Sequence, residues 1–384
     1  MNFQFTNEQE ELRQTVRKLA NERFAPMATD IDNSYEISNE VVRLIGEAGL
    51  YRLFYPQQYG GVGLSIINIC IVREELAKVS THAEGAFAVG GLGSVPLVLF
   101  GTEEQKKKYL PSFARGEKFM VFCLTEAAAG SDIGAIKTAA HSDGDYYVLN
   151  GTKTYVSEPF WTDYYCVFAK TDPRERTKGL SAFIVEREEK PSIAIQKTKM
   201  MMPHDIGNVT FINHRVPKEN LLGEEGGGAR VALSNLDNFR PSVGAAALGM
   251  AQAAYNEAKA FAKERIVFQQ PLASFQITQF KLAELATEIQ AARLMVYLAA
   301  WKKDQNMKAT RECSMAKLFA TEVAQHVATE AVQIMGGRGV TIGERVELFY
   351  RVIKTCSIYE GTSEIQKITI ARQVLAEDAF TTLP

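Results

Sequence analysis

The sequence is short of most features that mark a secreted, metal-bearing or nucleic-acid-binding chain. Its five cysteines, Cys70, Cys123, Cys166, Cys313 and Cys356, are odd in number and far apart, which fits neither a disulfide framework nor a zinc ribbon. Reduced thiols in a cytoplasmic protein are the simplest expectation. The histidines His82, His141, His204, His214 and His326 lack any His-x-x-x-His type of ligand spacing, so no metal site is expected. Charge of neither sign dominates, and a net charge of −2 gives no overall attraction for nucleic acid. The stretch MNFQFTNEQEELRQTVRKLA has no apolar signal core and passes at once into an amphipathic pattern with Leu12, Val16 and Leu19 on one face. No apolar run is expected to be long enough to span a bilayer. Neither Gly-x-Gly-x-x-Gly after a strand nor Gly-x-x-x-x-Gly-Lys-Ser/Thr is present, which disfavours Rossmann and nucleotide-hydrolysing enzymes.

What is present points to a soluble enzyme of two or three domains, since 384 residues exceed one ordinary core. The periodicities define an α, β, α order. Residues 1–120 read as helical: Val41, Leu44, Ile45 and Ala48 repeat at helical spacing before Gly49, and Thr102 with Gln105 forms a capping box. Residues 121–228 read as strands and turns, with LSAFIVE and NVTFINHRVP as short strands and Asn150-Gly151 in YYVLNGTKTYV as a hairpin signal. Residues 229–384 return to long amphipathic patterns, such as FQITQFKLAELATEIQAARLMVYLAAWKK, which suit a helical bundle.

Chemistry has three candidate places. TEAAAGSD is a small-residue loop that would let a backbone approach a ligand, or simply a tight turn. QIMGGRGV is a second such loop, or merely the end of the helix carrying Val323, Val327 and Ala331. In CSIYEGTSEIQ, Glu360 stands just ahead of a helix whose Ser363 and Gln366 have capping-box spacing. It is either a solvated loop acid or a base.

The series FCLTEAAAGSD, LNGTKTYVS, RVPKENLLG, RIVFQQPLASFQITQFKLAE, QIMGGRGV and IYEGTSEIQ resembles the acyl-CoA dehydrogenase family, in order and spacing, over nearly the whole chain. The likeness is to its short- and medium-chain branches. It implies an N-terminal helical domain, a central β-barrel-like domain and a C-terminal four-helix bundle, with bound FAD and a homotetramer built as a dimer of dimers. It also implies an acyl-CoA substrate and an electron-transferring flavoprotein as acceptor. By this resemblance Glu360 is the base that removes the α proton of the thioester while the β hydrogen leaves as hydride to the flavin. The thioester carbonyl would be polarised by the base's own N–H and a flavin ribityl hydroxyl. Phe122, Leu124, Thr125, Gly130 and Ser131 match the loop at the flavin ring and pyrophosphate, and Tyr155, Val156 and Ser157 match the strand beside the isoalloxazine. Arg265, Phe268, Gln276, Gln333 and Gly337 match positions that reach the FAD of a neighbouring subunit. Ser131, Asp237, Arg240, Tyr359 and Gly361 match substrate-side positions, and an ordinary helix salt bridge is the other account of Asp237 and Arg240. Some branches carry the base where this chain has Phe239, which accepts no proton.

Departures from the family pattern fall at Gln269 for a glycine, Glu158-Pro159 where an asparagine is usual, Ala127-Ala128 for Pro-Gly and Val352 for an aspartate. In the pocket-wall segment THAEGAFAVGGLGSVP, Phe87 would shorten a cavity and Gly90 and Gly91 would widen it. Ala83 stands where the glutaryl branch has arginine, which disfavours a dicarboxylic substrate. An acyl-CoA oxidase or carrier-protein-linked relative is the alternative enzyme, although the chain ends TTLP rather than Ser-Lys-Leu. A non-catalytic acyl-binding or scaffolding protein is the further alternative.

Overall fold

The computed structural model describes residues 4–187 and 191–376; the terminal TTLP lies outside them. Helices come first and last and a sheet lies between them in sequence. Contacts gather the chain into two units, one holding the segments up to Asn33, Ile66–Glu84 and from Asp237 onward, the other Ser34–Ser65 and Gly85–Leu236.

The first unit is built on helices. Thr6 caps Asn7–Leu19 through a capping box with Gln9, and Val16 on its apolar face is buried. The bundle helices are Gly228–Glu264, which belongs to this unit from Asp237 onward, Gln276–Asp304, Thr310–Met335, Arg345–Cys356 and Ser363–Leu375. Their seams are made of small residues. A Cβ on Gly244 would lie 2.8 Å from Val296 and 3.2 Å from Ala320, and one on Gly249 would lie 2.4 Å from the Glu74 carbonyl. Backbone therefore packs directly on its neighbours at both points.

The second unit is built on an eight-stranded sheet. Its strands are β1 (Met120–Cys123), β2 (Ala139–Asp143), β3 (Tyr146–Ser157), β4 (Tyr164–Lys170), β5 (Leu180–Glu186), β6 (Ile193–Lys197), β7 (Ile206–Pro217) and β8 (Leu221–Leu222). They run in the order β6-β7-β3-β2-β4-β5-β8, with β1 added in parallel to β4. Val121, Leu149, Val167, Phe183 and Val209 are among the side chains that fill its core. On the helical side of this unit Thr102 and Gln105 form the expected capping box.

Two expectations are corrected. Asn150-Gly151 does not turn a hairpin: the turn lies at Gly144, and β3 runs straight through Asn150-Gly151 with a register irregularity against β7. The Asn150 side chain bonds Asn213 across the strands, and a Cβ on Gly151 would come within 2.4 Å of Thr138 Oγ1. The glycine serves close approach, which outweighs its turn propensity. The second correction concerns the apolar run Thr81–Phe100, which has the length and hydropathy of a membrane span. It is 67% buried in its most apolar window and is divided into the helices Thr81–Leu92 and Val95–Phe100, as befits a core segment.

Gly151→Ala should lower stability by about 1–3 kcal/mol, because the added methyl overpacks Thr138. Chemical denaturation of the variant checks this.

Candidate active site

In the first unit the loop after Arg345–Cys356 carries Glu360 and Gly361 with φ of 54° and 92°. A non-glycine residue in this region is strained, so the loop needs anchors. The Gly361 carbonyl supplies two, accepting from Lys317 Nζ at 2.8 Å and from Gln366 Nε2 at 2.8 Å. Ser363 N–H reaches back to the Ser357 carbonyl at 3.0 Å. The helix cap is Thr362, whose Oγ1 accepts from Ile365 N–H, and this corrects the expected Ser363. Ser363 is instead the first helical residue and its hydroxyl donates to Glu322 at 2.6 Å.

Glu360 is only part-exposed, and its Oε2 is buried without a hydrogen-bond partner. Burial pushes its carboxyl above the usual range; Arg73, then Lys317 and Arg240, pull it down, and Glu84 adds to the rise. Desolvation therefore prevails, giving a better base than a solvated glutamate. Tyr359 hydroxyl lies 3.1 Å from Cys356 Sγ. Asp237 and Arg240 form the i,i+3 ion pair at 3.2 Å, and Asp237 also accepts from Lys303 and Thr310. Arg240 keeps a buried, unpartnered Nε. Phe239 is buried.

Arg73, Glu84 and Lys317 were not foreseen. Arg73 and Lys317 are charged residues on buried helical positions, in NICIVREELA and CSMAKLFA, and that mismatch is the signal the sequence offered. Burial lowers the Lys317 ammonium to about 8, against the pull of Cys356 and Glu360.

In the second unit the two segments expected at the flavin meet. Thr154 N–H donates to the Thr125 carbonyl at 2.8 Å, which joins Phe122–Thr125 to Tyr155–Ser157. A buried ion pair pins the same loop: Lys153 Nζ reaches Glu126 at 2.8 Å and the Leu124 carbonyl at 3.0 Å, while Glu126 also accepts from Lys137 and Thr138 N–H. Burial would raise the Glu126 carboxyl, but Lys153 and these bonds hold it below its usual range. TEAAAGSD is thus a turn, closed by reciprocal bonds between Glu126 and Ala129, and it leaves Gly130 and Ser131 exposed.

A bulge sits between Lys153 and Val156, where Tyr155 has φ of 55°. It shifts the inward parity of β3 by one residue, so Lys153 and Val156 are both buried while Tyr155 is 57% exposed. An exposed aromatic beside an open glycine loop suits a flat ring bearing an anionic chain, and these residues fit FAD. Gly90 and Gly91 do not widen a cavity. Added Cβ atoms there would lie 2.7 Å from the Tyr51 ring and 2.3 Å from the Phe54 ring, and Phe87 stacks into the same aromatic cluster.

The remaining positions expected to reach a cofactor lie in the first unit. Arg265, Gln276, Gln333 and Gly337 are exposed, and Phe268 is 90% exposed at the tip of a small hairpin. Phe268 and Gln269 have φ of 47° and 66°, so the glutamine that departs from the family's glycine occupies a left-handed position.

Three family models match the chain: acyl-CoA dehydrogenase N-terminal domain at residues 6–117, middle domain at 121–213 and C-terminal domain at 226–375. A 3-(aryl)acrylate reductase of Clostridium sporogenes is 40% identical over 97% of this chain and 99% of its own. The structure of butyryl-CoA dehydrogenase from Megasphaera elsdenii aligns with a TM-score of 0.94 at 35% identity, over 98% of this chain and 100% of that one. A chain from the structure of the electron transferring flavoprotein of Acidaminococcus fermentans aligns with a TM-score of 0.94 at 37% identity, over 98% and 100%.

Glu158, just past β3, is fully buried with φ of 52°, and neither carboxyl oxygen has a partner. Burial and the nearby Asp205 push it well above the usual carboxylate range. The folded chain then holds a proton that the unfolded chain releases, so stability falls as pH rises from the unfolded value of about 4.5 toward the folded one. Glu158→Gln should melt above the parent at pH 7, by about 2–4 °C per kcal/mol gained, with the gain vanishing near pH 4. Calorimetry across that range checks it.

Proposed function

The chain belongs to the acyl-CoA dehydrogenase family of FAD-dependent oxidoreductases, and from that premise we propose that it oxidises the C2–C3 bond of an acyl-CoA thioester to the 2-enoyl product, with Glu360 as base. One observation carries the proposal: the Glu360 carboxylate is half-buried with an unpartnered oxygen, on a strained loop tied down at the next carbonyl. A solvated loop acid has no need of that anchoring. FAD, when bound, takes up the β hydrogen as hydride. Glu360 accepts the α proton at its carboxylate, and a bound acyl chain that expels water makes it more basic still. The backbone N–H of Glu360 polarises the thioester carbonyl, which acidifies the α carbon. Phe122, Leu124, Thr125, Gly130, Ser131, Tyr155, Val156 and Ser157 would hold the flavin. Tyr359, Gly361, Asp237 and Arg240 would flank the thioester.

We assign the enzyme to a reduced, cytoplasmic setting, in keeping with five buried free cysteines. Electron-transferring flavoprotein is the acceptor we propose, and reoxidation by oxygen in its place would mark an oxidase. Faster flavin reduction by carrier-bound acyl groups than by CoA thioesters would mark a carrier-linked enzyme. A second reading runs the same chemistry backward, with protonated Glu360 giving its proton to the α carbon of an aryl-substituted enoyl substrate. The relative named 3-(aryl)acrylate reductase favours it. Dye-linked assays in both directions separate the two.

Glu360→Gln keeps the side-chain shape but takes up no proton. It should retain FAD and slow single-turnover flavin reduction by about two to four orders of magnitude. An unchanged rate in stopped-flow experiments at matched FAD content overturns the assignment.

We further propose a homotetramer in which Arg265, Phe268, Gln276, Gln333 and Gly337 of one copy reach the FAD of its neighbour, supported by the exposed apolar side chains Ile266, Phe268, Ile277 and Phe280. Arg265→Ala should weaken FAD retention and assembly together. A stable monomer of full FAD content, measured by light scattering and absorbance, contradicts this.

A further inference from the structure

Lys317 carries a charge where the backbone does not require one. It lies on the helix Thr310–Met335 and is fully buried. A buried ammonium ordinarily pairs with a carboxylate, because its lost hydration is otherwise uncompensated. Among the described residues Lys317 forms no ion pair, and the one hydrogen bond of its Nζ goes to the Gly361 carbonyl at 2.8 Å. That carbonyl already accepts from Gln366 Nε2 at 2.8 Å, and the same amide reaches the Glu360 carbonyl at 3.3 Å. A neutral donor thus satisfies the oxygen, and the ammonium occupies its second lone pair. A charge buried at this cost for a bond the carbonyl does not need has another use.

The two donors differ in what they are fixed to. Gln366 belongs to the helix Ser363–Leu375 that the loop itself enters, so it moves with the loop. Lys317 comes from a different helix and ties the loop to the bundle. A further tie to that helix, from the Ser363 hydroxyl to Glu322 at 2.6 Å, is made past the left-handed residues and leaves them free to turn. Glu360, with φ of 54°, is strained, and it relaxes unless the Gly361 peptide next to it is held. We propose that Lys317 is a positioning residue for the reaction: its bond to the Gly361 carbonyl clamps the left-handed pair against the bundle and so fixes where the Glu360 side chain and N–H stand. The inference rests on Glu360 being the base. Lys317 acts through the carbonyl, without a hydrogen bond to the carboxylate.

The test separates stability from rate. Lys317→Met keeps the length and apolar stem of the side chain but removes its donor and charge, while the carbonyl keeps Gln366. The variant should melt at or above the parent, because a buried charge has gone and no polar group is stranded. Single-turnover flavin reduction by a saturated acyl-CoA, at matched FAD content, should nevertheless slow by about 10- to 100-fold at saturation, with the half-saturating concentration within about threefold of the parent. Hydrogen exchange over residues 357–366, read by mass spectrometry without substrate, should rise. Ser363→Ala, which cuts the tie that bypasses the left-handed pair, should reduce flavin within about threefold of the parent rate. Unchanged exchange in Lys317→Met, an unchanged rate, or a rate loss no greater than that of Ser363→Ala overturns the proposal. Should Lys317→Met not fold, Lys317→Gln, a neutral donor of shorter reach, is read in the same way, and failure of both to fold makes the residue structural and refutes the positioning role. If Glu360→Gln leaves reduction intact the base reading fails and the positioning role with it, whereas the exchange data still report whether Lys317 holds the loop.

Discussion

One carbonyl holds the reactive loop in place. The Gly361 oxygen accepts from Lys317 and Gln366 at once, and the two left-handed residues before the last helix persist because those bonds outlast the strain. The surroundings of Glu360 follow from this. A relaxed turn at that point would swing Glu360 into solvent, where its carboxylate would be an ordinary weak base. Held as it is, the side chain stays half-buried, and burial raises its proton affinity while the cations Arg73, Lys317 and Arg240 pull against that rise. Gly361 has no alternative residue, since a Cβ there would lie 2.7 Å from the Gln366 amide that anchors it.

The protein treats buried charge in two ways. Glu126 is fully bonded, by Lys153 and two backbone N–H groups, and serves as a rivet for the loop that bears Gly130 and Ser131. Glu360 and Glu158 are left with unpartnered oxygens. An open buried acid costs stability, so positions that keep one are where chemistry or a ligand is to be sought. Glu360 answers to that description through the proposed proton transfer. Glu158 stands in the conformation an asparagine adopts with least strain, and holds its proton there.

The order helix, sheet, helix could be read from the sequence, because β5 is a short apolar run, β7 alternates over Asn208–Ile212 and the bundle helices are long. The proposal that Glu360 is the base comes from the family resemblance of IYEGTSEIQ. What escaped was tertiary. Asn150-Gly151 looks like a turn locally, but the core face of β3 and the nearby Thr138 decide otherwise. Gly90 and Gly91 look like open space and are filled by rings from a segment far earlier in the chain. Arg73, Glu84 and Lys317 belong to three helices, and only the folded unit brings their charges to Glu360. The cap moved by a single residue, from Ser363 to Thr362, because Glu322 offers the serine hydroxyl a better partner.

The Lys153–Glu126 rivet has a consequence for how this sequence can change over generations. Either residue replaced alone strands its partner as a buried charge, at a cost of about 3–5 kcal/mol against a typical total of about 5–15 kcal/mol. A well-packed apolar pair could replace both at little cost. The route to that pair passes through an intermediate with much of its stability gone, so the two positions behave as a single heritable unit. Variation in the loop that Glu126 anchors is therefore channelled toward its exposed tip, Ala127, Ala128, Gly130 and Ser131, where a substitution strands no buried charge.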